Sequence, residues 1–314
     1  MQRVLTTVTL LGLLVATAAA FAITEHLKLI RAPIYGPLVS KVFSPVCHCA
    51  TRTAAVRFRL RHSDQVTVTI VDSHDHRVAT VASGFPMVTR HAHSFPWDGR
   101  TSSGRLAPDG VYYPWVQLEH GHHTYKLINR ITLDTKVPAV LSASVEKAVL
   151  FAGRGRSVAI RYVLSEPAHA VVYLGGQPLV VGRPTRTHNR IKWGGTIPET
   201  GQAGQAVREG RYVLSIAARD DAGNETPRSA RKRVTVVVRY IDLAPRRIGV
   251  RAGKRLTVRV QTDASRYRWR LGQQRGLRRG RLLHLRAPTT PGTYRLVVTE
   301  RGHSATALVR VRPK

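Results

Sequence analysis

The sequence predicts an all-β protein, a tandem of β-sandwiches carried behind one N-terminal transmembrane helix. Three observations predict it. Beyond residue 50, apolar and polar residues alternate with period two again and again, and no long stretch there repeats apolar residues at helical spacing. Gly-x-Tyr returns three times at the head of an apolar run, at Gly110, Gly210 and Gly292. Ahead of all this, 21 consecutive uncharged residues, Val4 to Thr24, follow Met1, Gln2 and Arg3.

Composition sets the outer limits. The 314 residues carry 50 Lys and Arg against 18 Asp and Glu, a net charge of +32, and Arg outnumbers Lys 41 to 9. Such a surface needs anionic surroundings or counterions. A hydrophobic content of 43% is close to the globular norm and argues against wholesale disorder. Two cysteines exclude a disulfide framework and any four-cysteine metal site within one chain.

Residues 1–23 read as a signal anchor. About 20 apolar residues span the roughly 30 Å hydrocarbon layer, whereas a cleaved signal has an apolar centre of about 7 to 15. Ala20, Phe21 and Ala22 also form a small-x-small site before Ile23, so a cleaved signal peptide is the alternative. Either way the body is exported. The first cysteine, Cys47, stands far beyond the apolar run and has no lipobox before it, which argues against a lipoprotein.

Residues 24–51 read as a tether containing Cys47-His48-Cys49. Outside the membrane these thiols meet oxidants. Three outcomes stay open: a disulfide, either within the motif or to a second chain as a linked dimer; a metal site with His48; or free thiols.

Three modules follow, at 52–137, 140–240 and 243–314. Val56, Phe58 and Leu60 alternate with Arg57, Arg59 and Arg61, and Val66, Val68 and Ile70 alternate with Thr67 and Thr69. The same pattern returns at Val158, Ile160, Tyr162 and Leu164, and at Leu256, Val258 and Val260. Pro138 and Pro245 mark the breaks, since proline cannot continue a central strand. In the first two modules a tryptophan and a glycine precede Gly-x-Tyr: Trp97-Asp98-Gly99 stands 13 residues before Gly110, and Trp193-Gly194-Gly195 stands 17 before Gly210. The second copy therefore carries a four-residue insertion. The glycine before the strand is expected to adopt a backbone conformation closed to other residues. Trp97, Tyr112, Trp193, Tyr212 and Tyr294 are expected in structural roles, each tyrosine burying its ring while its hydroxyl bonds loop backbone.

Phe95-Pro96-Trp97-Asp98-Gly99-Arg100, Ser103-Gly104 and Pro108-Asp109-Gly110-Val111-Tyr112 resemble the FlgD/Vpr-type immunoglobulin-like domain of bacterial surface proteins. The likeness covers residues 52 to 136 well and 140 to 239 loosely, because Gly194 replaces the aspartate. Asp220-Asp221-Ala222-Gly223-Asn224 is similar to a hairpin of bacterial Ig-like repeats. The resemblance implies Ig-like β-sandwiches used as spacers, scaffolds or adhesion modules, with no catalytic residues. The namesake caps the growing flagellar hook, but an N-terminal membrane segment does not suit that role.

Catalytic motifs are absent or isolated. Ser144-Val145-Glu146-Lys147 matches the Ser-x-x-Lys of penicillin-recognising enzymes but has no Ser-Asp-Asn or Lys-Thr-Gly companion. No cofactor is expected. Ten of fourteen histidines precede residue 124. The His-x-His pairs His74/His76 and His91/His93 put both rings on one side, as a weak transition-metal site requires, but read first as solvated loop tips.

Charge concentrates at the end: residues 241–314 hold 19 Lys and Arg against 3 Asp and Glu, a net +16. Arg266, Arg268 and Arg270 alternate with Tyr267, Trp269 and Leu271, and Arg255 and Arg259 sit in a similar run. These five arginines are the expected polyanion-binding residues. Export disfavours nucleic acid and points to an anionic envelope polymer or an acidic protein. The sequence thus reads as a non-enzymatic envelope binding or scaffold protein, with a secreted adhesin or a metal-binding envelope protein as rivals.

Overall fold

The computed structural model describes residues 9–21, 32–152, 156–183, 185–199 and 202–314. Residues 9–21 form an exposed helix. Among the described residues no helix is long and apolar enough to cross a membrane. Residues 4–8 and 22–24 of the expected span lie outside the described residues.

From residue 34 onward the regular structure of the described residues is β, as the alternation implies, apart from one 3₁₀ turn at Arg228–Ala230. It divides into two compact units, 1–135 and 136–314.

The first unit contains β1 (Ile34–Val39), β2 (Val42–Phe43), β3 (Ala54–Leu60), β4 (Asp64–Val71), β5 (Arg77–Met87), β6 (His93–Trp97), β7 (Gly110–Leu118), β8 (His123–Lys126) and β9 (Ile131–Leu133). One sheet runs β1-β3-β6; the other runs β2-β9-β7-β4-β5, with β8 paired to β7. Val56, Phe58, Leu60, Val66, Val68 and Ile70 fill the space between them. Arg57, Arg59 and Arg61 face solvent.

The expected tether is corrected here. Residues 34–43 supply two strands of the sandwich: β1 pairs antiparallel with β3, and β2 pairs parallel with β9. Phe43 is fully buried, with its ring centroid 5.3 Å from that of Trp97. A short alternating run beside Gly36 and Pro37 hid this strand from sequence reading.

The second unit holds two sandwiches. Its first half comprises β10 (Val140–Val145), β11 (Val149–Phe151), β12 (Val158–Leu174), β13 (Gln177–Val181), β14 (Arg186–Trp193), β15 (Thr196–Glu199), β16 (Gln202–Ala206), β17 (Gly210–Arg219) and β18 (Lys232–Arg239). Strand β12 serves two sheets. Its early residues pair with β10 and β14, and its late residues with β13 and β17. The change of partner comes around Pro167, which has no N–H to give a ladder.

The second half comprises β19 (Ile241–Ala244), β20 (Arg247–Arg251), β21 (Arg255–Thr262), β22 (Tyr267–Leu271), β23 (Gln274–Arg278), β24 (Leu282–Arg286), β25 (Gly292–Glu300) and β26 (His303–Arg312). Its sheets run β19-β21-β24 and β20-β26-β25-β22-β23. The Ala244–Pro245 peptide at the expected break is cis. One buried apolar cluster runs through both halves, from Val140 to Val311. The Tyr240 and His303 rings stack in parallel, 3.6 Å between centroids.

Candidate binding face

The repeated motif builds the scaffold. In each sandwich the tyrosine hydroxyl donates to the carbonyl four residues back: Tyr112 to Pro108 at 2.5 Å, Tyr212 to Arg208 at 2.8 Å and Tyr294 to Thr290 at 2.9 Å. The Trp97 indole donates to the Arg100 carbonyl, and the Trp193 indole to that of Thr196. Both indoles are buried, each meeting its tyrosine edge-on at 4.9 and 5.9 Å. The loops close alike, by Ala107 N–H to Gly99 C=O and Val207 N–H to Gly195 C=O, both 2.9 Å. The four extra residues are taken up between those closures, in the hairpin β15–β16.

The glycine expectation needs correcting. Of the three glycines Gly292 adopts such a conformation, at φ +154°, whereas Gly110 and Gly210 do not have positive φ, and a Cβ at either would meet the tyrosine ring at ordinary contact, 4.0 and 3.7 Å. The tryptophan loops of the first two sandwiches do hold left-handed glycines, Gly99 at φ +77° and Gly195 at +76°. A Cβ on Gly99 would also lie 2.9 Å from Pro45 Cγ.

On this scaffold the third sandwich displays its charge. In β22 Tyr267 and Leu271 are buried and Trp269 half-buried, while Arg266, Arg268 and Arg270 are exposed, as strand alternation requires. Register extends the face across the sheet. Arg270 stands opposite Arg275, Arg310 opposite Gly249, and Arg312 opposite Arg251; Arg295 and Arg247 both stand opposite Leu308. Eight exposed arginines on these five strands (Arg247, Arg251, Arg268, Arg270, Arg275, Arg295, Arg310 and Arg312) therefore share one outer face, with Arg266 just before β22. Neighbouring strands lie about 4.8 Å apart and alternate residues about 6.8 Å apart, so the guanidinium roots form a two-dimensional array. Among the described residues no ion pair engages any of the nine. Two of the three carboxylates of this sandwich are used elsewhere: Asp242 bonds Arg239 and Arg246, and Glu300 bonds Arg301.

Arg255 and Arg259 do not join them. They lie on β21 of the three-stranded sheet and face away on the opposite side of the sandwich core. Arg259 instead lines a cavity of about 470 Å³ with Arg156, Arg281, Phe151 and Leu282. Sequence reading missed Arg247, Arg251, Arg275 and Arg295, because alternation gives each strand an outer side but only cross-strand register puts these outer sides on one face.

Cys47 and Cys49 are disulfide-bonded to each other, so both thiols are used within the chain rather than in a bridge to a second one. Ser144 lies on β10 with Lys147 just past its end, not at the start of a helix. Of the four candidate histidines, His74 and His76 come together with Asp72, whereas His91 bonds the Thr89 carbonyl and the His93 ring lies against Phe85.

No curated protein matches the chain. Among solved structures, a three-Ig fragment of titin covers 90% of this chain and 99% of its own at 10% identity, TM-score 0.29. The Bacteroides ovatus mixed-linkage glucan utilization locus protein SGBP-B, solved with a mixed-linkage heptasaccharide, covers 89% and 71% at 15% identity, TM-score 0.27. The Clostridium thermocellum CbhA fibronectin(III)-like modules cover 66% and 93% at 13% identity, TM-score 0.35. The family model of the FlgD Ig-like domain matches residues 46–121, the stretch that holds the Trp97 loop and the Tyr112 corner. Residues 46–121, the greater part of the first sandwich, thus match the FlgD Ig-like domain, and two further β-sandwiches follow in the chain.

Proposed function

We propose that this is a non-enzymatic binding or scaffold protein of the cell envelope, its sandwiches displayed outside the membrane and its third sandwich engaging an anionic envelope polymer or an acidic protein. The observation that supports the reading is the arginine face: eight exposed arginines on one sheet surface with Arg266 just before β22, none paired with a carboxylate among the described residues. Arginine suits this task because its planar fork meets carboxylate and phosphate oxygens in pairs and keeps its charge at any physiological pH. The apolar run at Val4–Thr24 supports export and membrane attachment. A secreted form of the same architecture would begin at Ile23, and sequencing the mature N-terminus separates the two.

Binding of the full chain to envelope polyanion at a series of salt concentrations tests the reading. Contacts made by releasing counterions weaken linearly on log-log axes, with a slope set by the number of charges engaged. Affinity that stays constant with salt would overturn it.

A further inference from the structure

The hairpin joining β4 to β5 carries a feature that the arginine face does not explain. Asp72 organises the turn: its N–H donates to the His76 carbonyl at 3.0 Å, its carbonyl accepts from Asp75 N–H at 3.1 Å, and its Oδ1 accepts from the N–H groups of His74 and His76 at 2.8 and 2.9 Å. Asp75 takes the left-handed conformation, φ 66°. These bonds fix the backbone, leaving Asp72 Oδ2 beside His76 Nδ1 at 3.3 Å. The His74 and His76 rings lie 25° from parallel with centroids 6.0 Å apart. One donor atom from each of Asp72, His74 and His76 falls within 4.8 Å of the others.

The second sandwich builds the same turn without imidazoles. Asp220 N–H donates to Asn224 C=O at 3.1 Å, Gly223 N–H donates to Asp220 C=O at 3.3 Å, and Asn224 N–H donates to Asp220 Oδ1 at 2.8 Å. There Asn224 Nδ2 closes on Asp220 Oδ2 at 2.8 Å, the place His76 takes in the first sandwich. The turn therefore needs its aspartate but no histidine. His74 and His76 add two imidazoles on a preset backbone, both rings exposed and able to swing.

We propose that Asp72, His74 and His76 form a transition-metal site, with Cu(II) the ion it prefers. Two neutral imidazoles and one carboxylate are the donor set of a tetragonal nitrogen–oxygen site, and affinity among divalent ions peaks at copper. Metal–nitrogen bonds of about 2.0 Å bring adjacent donors to roughly 3 Å, a closure that rotation of two exposed rings supplies. Water fills the remaining positions.

The test titrates the oxidised full chain, its disulfide intact, with Cu(II) chloride in a non-coordinating buffer, reading bound metal by equilibrium dialysis and its ligands by electron paramagnetic resonance. We expect one tight equivalent with hyperfine structure from two imidazole nitrogens. His74→Ala and His76→Ala should each weaken it at least tenfold. Asp72→Asn keeps an Oδ1 acceptor for the turn and should weaken it severalfold with the fold unchanged. The control variants, His91→Ala/His93→Ala and His120→Ala/His122→Ala/His123→Ala, should bind as the parent does. Unchanged uptake in a His74→Ala/His76→Ala double variant, or equal loss in either control, would overturn the proposal.

Discussion

The three tyrosine corners offer a graded experiment, because the same bond recurs once with a buried ring and twice with a half-buried one. Each hydroxyl donates to the carbonyl four residues earlier at 2.5 to 2.9 Å, so Tyr→Phe removes one comparable hydrogen bond each time. A net cost of about 1 kcal/mol is expected at all three. Tyr→Ala removes the ring as well. Tyr112 is 4% exposed and packs on the buried Trp97, so its loss should approach the 3–5 kcal/mol typical of large aromatic deletions. Tyr212 and Tyr294 are half-buried, and among the described residues no tryptophan ring meets that of Tyr294, so about 2 kcal/mol is expected at each. Urea unfolding of the full chain, with hydrogen exchange resolving each sandwich, measures the six variants. Alanine costs that are equal across the three, or a Tyr112→Phe cost below about 0.3 kcal/mol, would refute the corner reasoning.

Three further outcomes follow from local geometry. Gly99→Ala should destabilise the first sandwich by at least about 2 kcal/mol, since positive φ and the approach of Pro45 both oppose a Cβ; urea melts of that variant beside Gly104→Ala, where the same backbone conformation meets open space, separate the steric part. Glu225 accepts from Tyr173, Arg219 and Arg231, whose guanidinium lies 3.8 Å from the Tyr173 ring centroid. Glu225→Ala should cost about 2 kcal/mol, less than a fully buried pair because Arg219 is partly solvated, and a thermal melt unchanged from the parent would refute it. Asp64 and His120 form an ion pair at 2.6 Å; partial burial pushes the Asp64 carboxyl up, but its bonds to His120 prevail and lower it, while the bond to Asp64 raises His120. The aspartate's share is present above its ordinary 3.8 and lost as pH falls through the lowered value; the histidine's is present below 6.5 and lost as pH rises through the raised one. The pair should therefore stabilise most between about pH 4 and 6.5, and a His120→Asn variant whose stability runs parallel to the parent at every pH would refute it.

Much of this architecture is legible in the sequence because strands of a sandwich alternate. Val56-Arg57-Phe58-Arg59-Leu60 and Tyr267-Arg268-Trp269-Arg270-Leu271 each announce an inner and an outer face, and both lie as expected. The Trp97 and Trp193 loops are legible because a conformation that needs glycine, and an indole that needs a carbonyl, constrain residue types at short range. What cannot be read locally is pairing. Strand β1 is recognised only by its ladder with β3, Arg255 looks equivalent to Arg268 until sheet order puts them on opposite faces, and Asp72 joins His74 and His76 only through a turn.

The central claim is that a specific face, and not charge in general, binds the polyanion. Arg266, Arg268 and Arg270 changed together to Gln remove three charges from that face with no described bond broken; Arg52, Arg57 and Arg77, all exposed, remove three from the first sandwich. Arg61 is unsuitable for the control, since it donates to the Ala32 carbonyl and lies over the Tyr35 ring. Affinity for envelope polyanion, measured across salt for both triples, should fall and lose slope only in the first. Equal losses in the two would reduce the face to nonspecific attraction and contradict the account.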